Sequence, residues 1–138
     1  SNKIKKIKNF ESNFCHGDLT LSNLIIEKNI GFNNKLSNIY IFDWTDIYFE
    51  HYLQDIAKLK QDLYFGWSTR NFDDTNLEYE LNSLFIWEKI FKSFINNSNY
   101  ELFKIFMILC LLRIIPYSKN KNDIEWIDKS LNKEIKNL

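Results

Sequence analysis

The chain has only three glycines, one proline, two cysteines and one methionine among its 138 residues, and it carries no net charge, with 18 Lys and Arg against 18 Asp and Glu. Each scarcity excludes something. Gly17, Gly31 and Gly66 are too few and too scattered for a glycine-rich loop that wraps phosphates. Cys15 and Cys110 are far apart and show no paired spacing, so they read as reduced thiols of a cytoplasmic protein rather than a disulfide framework. Cys15 stands beside His16, but adjacent side chains are not the usual chelating offset and no second pair follows, so zinc is not expected. Net neutrality removes the electrostatic case for nucleic acid or an anionic membrane as a partner. The longest apolar run, residues 105–112 between Lys104 and Arg113, falls far short of the about 20 residues that span a hydrocarbon core, and it reads as a buried helix. No signal-peptide pattern is present. A hydrolase built on Asp and His lacks support, because no G-x-S-x-G or other activated nucleophile occurs.

What is plentiful is aromatic. Twelve Phe, seven Tyr and four Trp make up 17% of the chain and give a single domain of this length a bulky core. Residues 3–10 place Ile4, Ile7 and Phe10 at helical spacing between lysines, the mark of an amphipathic helix with a solvated basic side. Residues 24–27 and 39–42 read as two short strands, joined by an Asn-rich loop punctuated by Gly31. From Gln54 the period turns helical, with Ile56, Leu59, Leu63 and Tyr64 on one face and a stop near Gly66. Lys58, Gln61 and Asp62 fall on the polar side, where they could line a substrate pocket or be plain surface, and the surface is the expectation. After a polar connection over 68–74, with capping candidates Asp73, Asp74 and Thr75, a long amphipathic helix is expected to about Asn96. Leu77, Leu81, Leu84, Phe85, Phe91, Phe94 and Ile95 mark its apolar face. A buried helix over 100–115 should end at Pro116. A last helix over 123–136 shows Ile124, Ile127, Leu131 and Ile135 at helical spacing.

Chemistry concentrates between Phe14 and Trp44. His16-Gly17-Asp18-Leu19 is followed by Asn23 and, after the two strands, by Asp43-Trp44. An Asp, an Asn five residues on, and a second Asp at the end of an apolar strand form the spacing of a kinase catalytic loop and its metal-binding partner. A substrate hydroxyl needs a carboxylate to accept its proton as phosphorus is attacked. A hard cation such as magnesium wants oxygen ligands, and one amide oxygen plus one carboxylate suit it when nucleotide phosphates complete the shell. Asp18 is thus the expected base, and Asn23 and Asp43 the expected metal ligands. A hairpin would deliver them together, since Asn23 enters its first strand as Asp43 leaves its second. The competing view, that Asp18 and Asn23 are turn formers of a plain hairpin, explains their polarity but not the full spacing.

HGDLTLSN followed by IFDW resembles the aminoglycoside phosphotransferase and choline kinase group of small-molecule kinases, and Asp55-Ile56-Ala57 is similar to the D-[LI]-A that opens the next helix in that group. The resemblance implies an α+β, mostly α fold: a protein-kinase-like C-lobe whose small β-hairpin carries the catalytic loop. It implies ATP and Mg2+ as cofactors and phosphoryl transfer to a hydroxyl of a sugar, an aminoglycoside-like compound or an amino alcohol such as choline. It gives His16 and Asp55 the task of bracing the loop and leaves the substrate-binding residues unassigned. Gly17 stands where protein kinases carry Arg, so control by a phosphorylated activation loop is not expected. Where the group often has Gly-Asp-Pro before the helix, this chain has Glu50-His51-Tyr52. Where choline and ethanolamine kinases usually carry Asp-Phe-Glu-Tyr, it has Asp43-Trp44-Thr45-Asp46. Trp67, Tyr79 and Trp87 suggest aromatic faces for a quaternary ammonium, though aromatics at helical spacing are more often core.

Fewer than about fifteen residues precede the loop, whereas the phosphates of ATP in such an enzyme are gripped by a β-rich N-lobe and its Lys. The chain is therefore expected to be the C-lobe of a larger enzyme, partnered by an upstream N-lobe and inactive alone. A kinase-like module that binds or scaffolds without turnover is the alternative.

Overall fold

Apolar residues recurring three and four apart make helices of most of this chain. The computed structural model describes residues 14–28, 36–45, 50–70 and 77–136. Among these lie four α-helices: α1 (Tyr52–Leu63), α2 (Leu77–Phe94), α3 (Tyr100–Arg113) and α4 (Lys121–Ile135). Strands β1 (Leu24–Lys28) and β2 (Leu36–Ile41) pair antiparallel, with Leu24 opposite Ile41 and Ile26 opposite Ile39. This is the expected mostly helical α+β fold with a small hairpin. The basic segment over 3–10, Gly31, Asp46 and the capping candidates Asp73, Asp74 and Thr75 lie outside the described residues. No described helix is long and apolar enough to cross a membrane.

Helix α1 is the hub. It packs on α3 and α2, and α4 closes against α3. Leu53, Ala57, Phe103, Met107 and Leu111 are fully enclosed between these helices, with Ile56, Leu63, Trp87, Phe106 and Ile127 around them. Burying a side chain of this size stabilises by roughly 1.5–3 kcal/mol, which explains why so short a set of helices can hold together. Trp87 stacks on Phe103 at 6.1 Å and meets Phe91 at 5.8 Å, so it is a core residue rather than part of an aromatic cage.

Helix faces differ from the sequence reading at three places. Lys58, Gln61 and Asp62 are 4%, 1% and 4% exposed, not at the surface. The polar side of α1 faces the loop that precedes the hairpin, so polarity there serves packing against a polar loop. On α2, Leu77, Leu81, Leu84, Phe85 and Phe94 are exposed, and the helix buries Ser83 and Trp87 instead, because only one narrow stripe of it meets α1 and α3. On α4, Ile124 and Ile135 are exposed while Asp123, Ser130 and Glu134 go inward with Ile127. Each buried acid has a cation waiting. Glu134 pairs with Lys60, whose ammonium also lies over the rings of Tyr64 and Phe103, and Asp123 accepts from Arg70 Nε at 2.7 Å. The backbone amide of Lys119 and the Arg70 guanidinium hold the Asp123 carboxyl below the ordinary carboxylate range.

His51 stands just before α1, in the stretch Glu50-His51-Tyr52. Its Nδ1 accepts the Leu53 amide at 3.1 Å, and its carbonyl accepts Gln54 N at 2.9 Å, so it is the N-cap. Its ring stacks on Tyr52 and Phe106. Burial pushes the imidazole pKa below its ordinary 6.5. The folded state therefore binds fewer protons at this site than the unfolded state. The stability it contributes is present above pH 6.5 and is lost as pH falls through the depressed folded value. Thermal unfolding followed between pH 7.5 and about 5 should show a melting temperature that falls on acidification. His51→Asn, which keeps a capping acceptor without a titrating ring, should flatten that part of the profile. A variant profile parallel to that of the wild type would contradict this role.

Candidate active site

The segment from His16 to Asn23 has little regular structure of its own, so its shape comes from side chains of other elements. Asp55, in the first turn of α1, does most of this. Its Oδ2 accepts His16 N at 2.7 Å and its Oδ1 accepts Gly17 N at 2.9 Å. Charge-assisted bonds to two successive amides fix the peptide between them. Gly17 takes φ 87°, a left-handed conformation that costs glycine nothing. Its carbonyl accepts Gln54 Nε2 at 2.9 Å. Two turns further along α1, Asp62 accepts Leu21 N at 2.9 Å through Oδ2 and Ser68 Oγ at 2.8 Å through Oδ1. The single 3-10 turn Leu21–Asn23 is thereby fastened to the same helix.

His16 ties this loop to the strand end. Its Nε2 donates to Phe42 O at 2.8 Å, and Nδ1 accepts Asp18 N at 3.3 Å, so hydrogen bonding selects the Nε2–H tautomer. The His16 carbonyl accepts Thr45 N at 3.1 Å, and Trp44 lies tilted over the imidazole at 4.6 Å. Asn23 O accepts Phe42 N at 3.2 Å. Residues 42–45 are thus anchored on both sides of Asp43. Asp43 itself is exposed and has φ 64°, a left-handed conformation that is uncommon outside glycine and concentrates at functional sites.

The Asn23 side chain turns its Nδ2 to the Asp18 carbonyl at 2.9 Å. That commits the amide nitrogen and leaves Oδ1 as the acceptor of the group. Asp18, Asn23 and the Asp43 segment therefore share one end of the hairpin. Their donors suit a hard divalent cation: one amide oxygen and one carboxylate beside a second carboxylate. Among the described residues no group of three His, Cys, Asp or Glu side chains could hold a metal ion alone. A cation here would draw its other ligands from phosphate and water.

Sequence reasoning offered Lys58 as pocket lining or surface and missed its pairing with Asp18. One turn beyond Asp55 on α1, its Nζ lies 2.8 Å from Asp18 Oδ1, with its own side chain 6% exposed and that of Asp18 31%. The i, i+3, i+7 spacing of Asp55, Lys58 and Asp62 was the available signal, because it puts the three on one helix face. Burial and then the Asp55 charge push the thiol of Cys15, in the same loop, up to about 11. Burial does the same to Cys110.

Beside Asp18 opens a cavity of about 310 Å³, lined by Thr20, Ser22, Lys58, Gln61, Trp67 and Arg113 among others. Its floor is the inner face of α1 and the end of α3.

Asp55→Asn should weaken the whole loop. Asparagine keeps one acceptor but turns an amide toward the second backbone N–H, and a buried donor left unsatisfied costs about 1–3 kcal/mol. Urea unfolding should show a loss of that size, and the tryptophan resonance of Trp44 should shift as its packing on His16 loosens. Unchanged stability would mean that the two amides find other partners.

A family model described as "Phosphotransferase enzyme family" matches residues 4–90, a span that takes in the loop, the hairpin, α1 and most of α2. No curated protein and no solved structure matches the chain.

Proposed function

The chain belongs to the phosphotransferase enzyme family, and on that premise we propose that it carries the catalytic loop and metal side of an ATP-dependent kinase acting on a hydroxyl of a small molecule. Sugars, aminoglycoside-like compounds and amino alcohols such as choline are the acceptors implied by the motif. The observation that carries this reading is the bond from Asn23 Nδ2 to the Asp18 carbonyl, together with His16 joining that loop to Phe42. These bonds tie Asn23 to the Asp18 backbone and join their loop to the strand end that precedes Asp43, which supports the reading.

Asp18 accepts the proton of the acceptor hydroxyl. As its oxygen forms a bond to the γ-phosphorus of ATP, the bond from that phosphorus to the bridging oxygen breaks and ADP leaves. Lys58 holds the Asp18 carboxylate by its ammonium, so the base is oriented before the acceptor arrives. Asn23 Oδ1 and Asp43 would hold Mg2+, which supplies charge neutralisation at the phosphates. His16 and Asp55 brace the loop and do not touch the reacting atoms.

Nucleotide gripping belongs, in this proposal, to an N-lobe outside these 138 residues. Two observations support it. Three glycines leave no glycine-rich phosphate loop. The hairpin keeps Ile25, Ile26, Ile39, Tyr40 and Ile41 exposed, an apolar surface of the kind that packing against another lobe covers. The 138 residues alone would then fold but transfer little phosphate.

ADP release from magnesium-ATP, measured with the protein extended by its upstream sequence and a panel of hydroxyl acceptors, tests the proposal. Asp18→Asn should keep nucleotide binding and lose turnover by about a hundredfold to ten-thousandfold. Asp43→Asn should instead weaken magnesium-ATP binding itself. Turnover by Asp18→Asn close to that of the wild type would remove Asp18 from the base role. Nucleotide binding without turnover on any acceptor would favour a binding or scaffold module.

A further inference from the structure

The cavity beside Asp18 has a chemistry that the catalytic motif does not dictate. Its charged lining is Lys58, Arg113 and Asp18. Lys58 and Asp18 face each other at 2.8 Å and answer one another's charge. Arg113, at the last turn of α3, is left over. Among the described residues it pairs with no carboxylate, and it donates a long hydrogen bond, Nη1 to Gly17 O at 3.5 Å. That contact puts the guanidinium one residue from Asp18, within the length of a small molecule.

Two further features bear on what could sit there. Gln61 is 1% exposed, lines the cavity, and has an Oε1 with no hydrogen-bond partner among the described residues. A buried acceptor of this kind is costly unless a donor meets it. Trp67 and Tyr117 are the aromatic lining; a face of the Trp67 ring is already covered by the Arg70 guanidinium at 3.4 Å, and Trp126 lies against it at 5.0 Å. A quaternary ammonium seeking the Trp67 face would find that place taken by a cation, which leaves Tyr117 alone to receive it. The volume, about 310 Å³, is at the lower end of the roughly 300–1,000 Å³ that hold small ligands.

We propose that this cavity holds the phosphoryl acceptor and selects a small polyhydroxy compound bearing an anionic group, a carboxylate or a phosphate, received by Arg113 while Gln61 Oε1 accepts a hydrogen bond from a hydroxyl. The proposal rests on the phosphotransferase reading for the word acceptor, and on the cavity alone for the charge of the ligand. Arg113 offers a planar fork that matches either anion. A polycationic or quaternary acceptor would enter against Arg113 with only the Tyr117 ring and Asp18, already neutralised by Lys58, to attract it.

Four hexose derivatives of similar size separate the possibilities: glucose 6-phosphate, gluconate, glucose and glucosamine. Calorimetric titration of each into the 138-residue chain should show at least one of the two anions binding about tenfold or more tighter than glucose, a 1.4 kcal/mol difference, with glucosamine weakest. The phosphate and carboxylate arms tell which anion the site prefers. Arg113→Gln should abolish the preference and Arg113→Lys should restore part of it, which separates loss of charge from disturbance of the fold. The proposal is overturned if neither anion binds, if glucosamine binds as well as they do, or if Arg113→Gln leaves their advantage intact. Turnover distinguishes this failure from failure of the phosphotransferase reading. Phosphorylation of glucosamine alone by the upstream-extended protein would sink the anion class and keep the kinase, whereas Arg113-dependent anion binding without phosphorylation would do the reverse.

Discussion

A carboxylate on a helix, accepting two consecutive backbone amides of a loop that has no regular structure, is what the rest of this domain depends on. Asp55 holds His16 and Gly17 by their N–H groups. From that fixed peptide His16 reaches Phe42, Asp18 meets Lys58, and Asn23 closes back on the Asp18 carbonyl. The bonds made by Asp55 and Lys58 are charge-assisted, His16 uses both of its ring nitrogens, and Asn23 commits its amide nitrogen. A loop of this kind loses much conformational entropy on ordering, and a rigid helix supplies the compensating contacts at once because its side chains are already spaced along one face. Helix α1 is also the hub of the apolar core, so the site is mounted on the element around which the core packs.

The fold, and the loop and hairpin that carry the candidate site, were legible in the sequence for a common reason: both were written as local spacings. Helical periodicity located α1 to α4 within a few residues, alternate β-branched runs located the hairpin, and the Asp-Asn-Asp spacing located the loop and strand end. What escaped was any choice of direction. Lys58, Gln61 and Asp62 looked like a solvated face because a polar stripe facing a polar loop has the same sequence as one facing water. On α2 the apolar residues run nearly all round, so periodicity could not tell which stripe meets α1 and α3. Buried Asp123 and Glu134 were hidden for a third reason, since their partners Arg70 and Lys60 lie on other elements.

His51 shows how a departure from a family pattern can keep a function. The Gly-Asp-Pro that often precedes this helix is absent, yet the first turn of α1 still needs an acceptor for its unpaired amides. An imidazole provides it, stacked on Phe106 so that the cap is also part of the core. The same economy recurs at Lys58, which orients Asp18 and lines the cavity in one position.

Asp18, Asn23 and Asp43 are proposed to form one metal-nucleotide site. Paramagnetic broadening of backbone amide resonances by manganese-ADP addresses it directly, because the effect is local and is seen even when binding is weak. The account predicts that the amides of Asp18, Asn23 and Asp43 broaden first and together, that magnesium-ADP in excess reverses it, and that Asp43→Asn reduces it. Broadening centred elsewhere, or at Asp18 without Asn23 and Asp43, would contradict a shared site.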